Sequence, residues 1–192
     1  MQELPRHHPI YMPEFLYLLN KEVGYDQKVL IDKYFSLDEM HGMALKAFAE
    51  LMLHPAIEWD LPEDSPPYQP ASGHVDQSPS NLFRVFKELS YFLKGGYGFI
   101  TNNEKRETHF VVTLESLSAQ EASLLCQIKD RNLKEYPNVD MYHFIEMYPE
   151  WFPEGFAESF LEQKKVLKPK TGLDVVKTIV RKAGRPSKKD TK

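Results

Sequence analysis

Six of the chain's fourteen prolines fall between Pro55 and Ser80, in PAIEWDLPEDSPPYQPASGHVDQSPS. Proline removes a backbone donor and fixes φ, so this stretch holds neither a regular helix nor a central strand. The expectation is a long extended connection across the surface of whatever flanks it. Connections of this length are uncommon unless they bind something or pack as a strap. Trp59 and Tyr68 supply two aromatic side chains for either purpose: as anchors onto neighbouring helices or as contacts to a partner.

On both sides the pattern is helical. Ser36-Leu37-Asp38-Glu39 has the form of a capping box, and Met40, Met43, Ala44, Ala47, Phe48 and Leu51 follow at three- and four-residue intervals. This predicts a helix from Ser36 that ends near His54-Pro55. A second helix is expected over residues 81–94, with Leu82, Val85, Phe86, Leu89, Phe92 and Leu93 on one face and Gly95-Gly96 as its stop. Asn102 or Asn103 is placed to cap a third, around Phe110, Val111, Leu114 and Leu117, although Val111-Val112-Thr113 also suits a short strand. Ser118-Ala119-Gln120-Glu121 is another capping box, opening a helix that turns Leu124, Leu125 and Ile128 inward with Cys126 beside them. Asp140 is expected to cap MYHFIEMY, Pro149 and Pro153 break the chain, and GFAESFLEQKKV forms a final core helix. The fold expected is all-α: an irregular helical bundle with a long proline-rich loop and a basic C-terminal helix and tail.

The charge is unevenly divided. From Lys164 onward there are eleven Lys/Arg against two Asp/Glu, or +9, and the preceding residues carry thirteen against twenty-six, or −13, together the net −4. The division predicts a helical body over 1–163, including the strap 55–80, and a basic module over 164–192. An acidic body with a basic end implies either an external polyanion or a tail that folds back. Within the module, Val175, Val176, Ile179 and Val180 form an apolar side with the spacing of helix-in-groove anchors. Lys177, Arg181, Lys182, Arg185, Lys188 and Lys189 surround and follow it. Gly184-Arg185-Pro186 resembles part of an AT-hook, in which arginines enter a narrow minor groove. Ala183 stands where the first arginine of a full hook would be.

Chemistry is not prominent. Cys126 is the only cysteine, so no internal disulfide and no paired-thiolate zinc site is available, and a reducing interior fits best. The seven histidines make no HExxH or comparable ligand spacing, so no metal is expected, and no cofactor. There is no GxSxG elbow, and Gly95-Gly96-Tyr97-Gly98 lacks the Gly-Lys-Ser/Thr ending of a phosphate loop. No apolar run approaches the roughly 18 residues of a membrane span, and the N-terminus lacks a signal-peptide core. A non-enzymatic protein is expected, and nothing here sets its oligomeric state.

The middle of the chain resembles an uncharacterised family of tailed-bacteriophage proteins found in T4-like phages and their cyanophage relatives. The resemblance rests on Glu58-Trp59-Asp60-Leu61-Pro62-Glu63, Pro66-Pro67-Tyr68 and Phe92-Leu93-Lys94-Gly95-Gly96. It continues through Leu114-Glu115-Ser116-Leu117, Glu121-Ala122, Leu125, Lys129-Asp130, Leu133 and Phe152-Pro153-Glu154. It implies a phage origin and a place in the cytoplasm of an infected bacterium or in the virion, and it implies no catalytic residue. The expectation is a phage accessory protein that binds a host or phage protein and, through its basic module, nucleic acid, in host transcription or phage DNA metabolism. The alternative is a virion component or host-protein inhibitor that works by protein contact alone.

Overall fold

The computed structural model describes residues 10–167, and its described residues form eight α-helices and no strands. The all-α expectation holds. The chain divides between Glu154 and Gly155 into two units, earlier than the charge transition at Lys164. The first unit contains α1 (Met12–Lys21), α2 (Tyr25–Phe35), α3 (Glu39–Leu53), α4 (Leu82–Val85), α5 (Asn103–Ser116), α6 (Ala119–Lys129) and α7 (Tyr142–Met147). In the second, α8 (Phe156–Leu167) carries Phe156 and Phe160 one turn apart, with ring centroids 5.4 Å from each other.

Helix α6 is the centre of the first unit. Leu124, Leu125, Cys126, Gln127, Ile128 and Lys129 are all buried, which covers every side of the helix, as expected of a helix surrounded by others. It packs against α1, α3 and α5, while α3 also meets α2 and α4. Phe15 stacks on Tyr34 at 4.0 Å between α1 and α2, and Phe48 meets Phe144 edge-on at 5.8 Å between α3 and α7. Gln27 is 1 % exposed and spends its amide on distant backbone. Its Nε2 faces the carbonyls of Leu19, Glu22 and Asn138, and its Oε1 accepts from the Asp140 amide.

Local signals settle most helix starts. Ser118 Oγ accepts from the Glu121 amide, and Asn102 Oδ1 accepts from Lys105 at 2.9 Å, opening α5 as a helix through its Val-Val-Thr centre. Three expectations need correction. The cap of α3 is Asp38, whose carboxylate accepts from the His41 amide at 2.9 Å and lies 2.8 Å from the His41 ring; Ser36 instead closes α2. Asp140 likewise stands one residue before the cap of α7, and there accepts from the Tyr142 amide.

The third correction concerns 81–94, which is not one helix. After α4 the chain tightens through i to i+3 bonds, Glu88 to Val85 and Tyr91 to Glu88, into a 3-10 turn at Leu89–Phe92. Leu93 is then extended, and Lys94 and Gly95 form a turn. The Phe92 carbonyl accepts from the Asp60 amide at 3.0 Å and the Lys94 amide donates to the Glu58 carbonyl at 2.9 Å, so a longer helix would leave the strap without these partners. Gly95 and Gly96 therefore complete a turn that follows the extended Leu93 rather than stop a helix. Gly95 has φ +72°, and a Cβ on Gly96 would lie 2.2 Å from the Ser90 carbonyl oxygen.

Candidate functional site

The strap is held by backbone at four places. Trp59 bridges Leu93 in antiparallel fashion, Ala71 donates to the Leu117 carbonyl at 3.0 Å, Ser80 donates to Ser116 at 3.0 Å, and Gln69 donates to the Glu115 carboxylate. A proline-rich segment has few amides to satisfy, and these bonds use several of those it has.

Three cations then hold its carbonyls. Arg106, on α5, is 3 % exposed; its guanidinium donates to the Asp60 and Ile100 carbonyls and to Asn103 Oδ1, pairs with Asp60 Oδ2 at 2.9 Å, and lies over Phe99. Lys129, at the end of α6, donates to the Pro62 carbonyl at 2.7 Å and to the Asp130 carboxylate. Arg131 reaches back to the carbonyls of His54 and Ile57.

The geometry of Arg131 explains how that reach is made. Its φ is +50°, the left-handed conformation that ends many helices, and its amide donates to Ile128 while that of Asn132 donates to Gln127. Glycine is the usual occupant, and a side chain there costs about 1 kcal/mol. Two charge-assisted bonds to strap carbonyls offset that cost. Arg131→Gly is accordingly expected to relieve the backbone yet lower stability by about 1 kcal/mol, measurable by urea denaturation.

Trp59 and Tyr68 are both half-buried. Trp59 packs edge-on against Phe110 of α5, at 6.5 Å and 67°. Tyr68 and Ser65 reach the thiol of Cys126, and burial pushes both the phenol and the thiol above their ordinary ranges. Both aromatics thus anchor the strap. The other sequence-predicted site residues, Val175, Val176, Lys177, Ile179, Val180, Arg181, Lys182, Arg185, Lys188 and Lys189, lie outside the described residues.

Between the strap and α5 lies a cavity of about 460 Å³. Leu61, Pro62, Pro66, Pro67, Phe110 and Val111 make its apolar surfaces, and Glu63, Asp64, Glu104 and Glu107 stand at its exposed rim. None of the four carboxylates has a cationic partner within 4.0 Å among the described residues. The cavity's one ammonium, Lys129, is committed to Pro62 and Asp130. No three His, Cys, Asp or Glu side chains gather as metal ligands among the described residues. What this arrangement offers chemically is an apolar seat beside unpaired negative charge.

A second polar centre lies in the core. Glu121 is 1 % exposed; its Oε1 accepts from the Leu82 amide at 3.0 Å, and Ser118 Oγ faces Oε2 at 3.3 Å. One buried carboxyl thereby joins the start of α6 to the start of α4. Burial pushes its pKa up to about 7, against the two hydrogen bonds that lower it. Between the ordinary carboxyl range and pH 7 the folded chain holds a proton that the unfolded chain has lost. Stability from this group is therefore full below the ordinary carboxyl range, falls as pH rises from there to about 7, by roughly 3 kcal/mol in all, and levels off above that. Glu121→Gln keeps an acceptor for Leu82 and is expected to flatten that dependence and raise stability at pH 8 by about 2 kcal/mol in urea denaturation.

Residues 20–135 match the model of a family described as a family of unknown function, DUF6433. The chain belongs to DUF6433. The DUF6433 match encloses the strap, Arg106, Lys129, Arg131 and every residue of the cavity, and stops before α7 and the basic C-terminal segment. No curated protein and no solved structure matches the chain. Within the DUF6433 span, sequence periodicity pointed to neither Arg106 nor Lys129, which stand among charged neighbours like a solvated face. Lys129 was signalled only by its place in the phage-family resemblance. No helix among the described residues is long and apolar enough to cross a membrane.

Proposed function

We propose that this protein is a non-enzymatic phage accessory protein whose strapped helical body binds a protein partner and whose basic C-terminal module contacts nucleic acid. Host transcription or phage DNA metabolism is the setting this reading favours. The observation that carries it is the cavity beneath the strap, with Lys129 fixed on the Pro62 carbonyl in its wall and unpaired carboxylates at its rim. Rigid surroundings of this kind favour recognition, because little order remains to be imposed on binding. The +9 segment supports the nucleic-acid arm, since neutralising phosphates releases counterions and gives salt-dependent affinity.

Titration of a DNA duplex across salt concentrations tests that arm, using the full chain and a version ending at Leu167. The full chain is expected to bind with log K falling linearly in log salt, by about 0.9 for each phosphate engaged. The shorter version is expected to bind at least roughly tenfold more weakly. Equal or absent affinity would overturn the nucleic-acid arm and leave a virion component or host-protein inhibitor. Affinity capture from infected cells tests the other arm: a partner recovered after nuclease treatment supports binding by the body, and recovery lost to nuclease contradicts it.

A further inference from the structure

We infer that the cavity beneath the strap is a docking site for an extended peptide segment of a partner protein in which a lysine or arginine is followed, two residues on, by an aliphatic side chain. This rests on the reading of the body as the partner-binding part and names the chemistry it recognises.

The register of α5 carries the argument. Glu104, Glu107, Thr108 and Val111 follow one another at i, i+3, i+4 and i+7, so they share the helix face that lines the cavity. Along that face, over about 10 Å, the surface changes from carboxylate at the helix N-terminal end to aliphatic at Val111, with buried Phe110 beside it. The opposite wall repeats the pairing, with Glu63 and Asp64 next to Pro66 and Pro67. An extended peptide places residues i and i+2 on one side, roughly 7 Å apart, close to the rise of about 6 Å along α5 from Glu107 to Val111.

Charge complementarity selects the sign of the ligand. Four carboxylates at the rim have no cationic partner among the described residues, and the buried Lys129 is already engaged. An anionic ligand would be repelled, and a purely apolar one would leave those carboxylates uncompensated beside a dry contact. A cation beside an aliphatic group uses both halves. The prolines add rigidity, since their φ is fixed and the wall loses little freedom when the site fills. A volume of about 460 Å³ lies within the usual range for such sites, roughly 300–1,000 Å³.

The test uses the full chain and a fluorescein-labelled peptide, Lys-Ser-Leu-Ser-Lys-Ser-Leu, followed by anisotropy at physiological ionic strength. Companion peptides replace each Lys by Glu or each Leu by Ser. The Lys/Leu peptide is expected to bind, the Glu/Leu peptide to show no binding, and the Lys/Ser peptide to bind about tenfold more weakly. The double variant Glu104→Gln, Glu107→Gln should lose about tenfold, while the charge-matched control Glu150→Gln, Glu154→Gln, away from the cavity, should stay within about twofold. Helical circular dichroism confirms that both variants fold. Val111→Arg, which places a cation of the chain's own in the cavity, should abolish binding. Equal loss in the control pair, or Lys/Ser and Lys/Leu peptides of equal affinity, would reduce the effect to general surface charge and overturn the assignment. Should the Lys/Leu peptide fail to bind while nuclease-resistant partner capture persists, the cavity assignment falls and partner binding by the body stands.

Discussion

Arg106→Ala is expected to lower the unfolding free energy by about 3 kcal/mol. The guanidinium is 3 % exposed and satisfies two backbone carbonyls from different segments, Asp60 in the strap and Ile100 before α5, together with Asn103 Oδ1. Truncation leaves those acceptors beside a void. Its carboxylate partner, Asp60, is 35 % exposed, so water relieves part of the loss and the cost stays near the low end for a broken buried pair. Arg106→Lys restores the charge but gathers its donors on one nitrogen in place of the planar fork that uses Nε, Nη1 and Nη2, and less than half of the stability is expected to return. Urea denaturation followed by helical circular dichroism measures both. A loss below about 1 kcal/mol for Arg106→Ala would show that the clamp is ornamental.

Phe110→Ala is expected to cost about 4 kcal/mol, within the range for deleting a buried aromatic. Phe110 is 2 % exposed and meets Phe92 at 5.3 Å and 78° and Trp59 at 6.5 Å and 67°. It therefore supports the 3-10 turn, the strap and the cavity wall together. Its removal should also shift Trp59 emission to the red before global unfolding, because the indole loses the face that shields it. Val112→Ala on the same helix, where the side chain is 56 % exposed, is the control and should lie within about 0.5 kcal/mol of the parent. Comparable losses at the two positions would contradict the packing described for α5.

These two residues also mark the limits of what sequence conveys. Apolar spacing in α3 and α6 and the Ser118 capping box were legible because each is decided within one or two turns. The proline density of 55–80 likewise announced a long extended connection. The helix expected over 81–94 was interrupted because its Phe92 carbonyl accepts from the Asp60 amide and its Lys94 amide donates to the Glu58 carbonyl, more than thirty residues upstream. Ser36 and Asp38 are both good cap residues two positions apart, and the His41 ring beside Asp38 favours the second. Arg106, Lys129 and Arg131 were opaque for a related reason. A lysine or arginine reads as solvated until carbonyls from a distant segment meet it; strap carbonyls meet the buried Arg106 and Lys129 here, while Arg131, just past α6, stays exposed with its guanidinium on the His54 and Ile57 carbonyls. Gln27, whose partners Asn138 and Asp140 are equally remote, was hidden in the same way. The cavity was legible only as its two halves, an acidic proline-rich stretch and one helix face, with nothing in the sequence to join them.

The strap, extended apart from a 3-10 turn at Val75–Gln77, is held in place by its backbone hydrogen bonds and cation contacts. Native-state hydrogen exchange tests it most directly at the amides of Asp60, Ala71 and Ser80, which donate to Phe92, Leu117 and Ser116. The account predicts protection at all three comparable to the amides within α5, with Asp60 losing it selectively in Arg106→Lys. Exchange at these amides as fast as in an unfolded chain, while α5 and α6 remain protected, would contradict it.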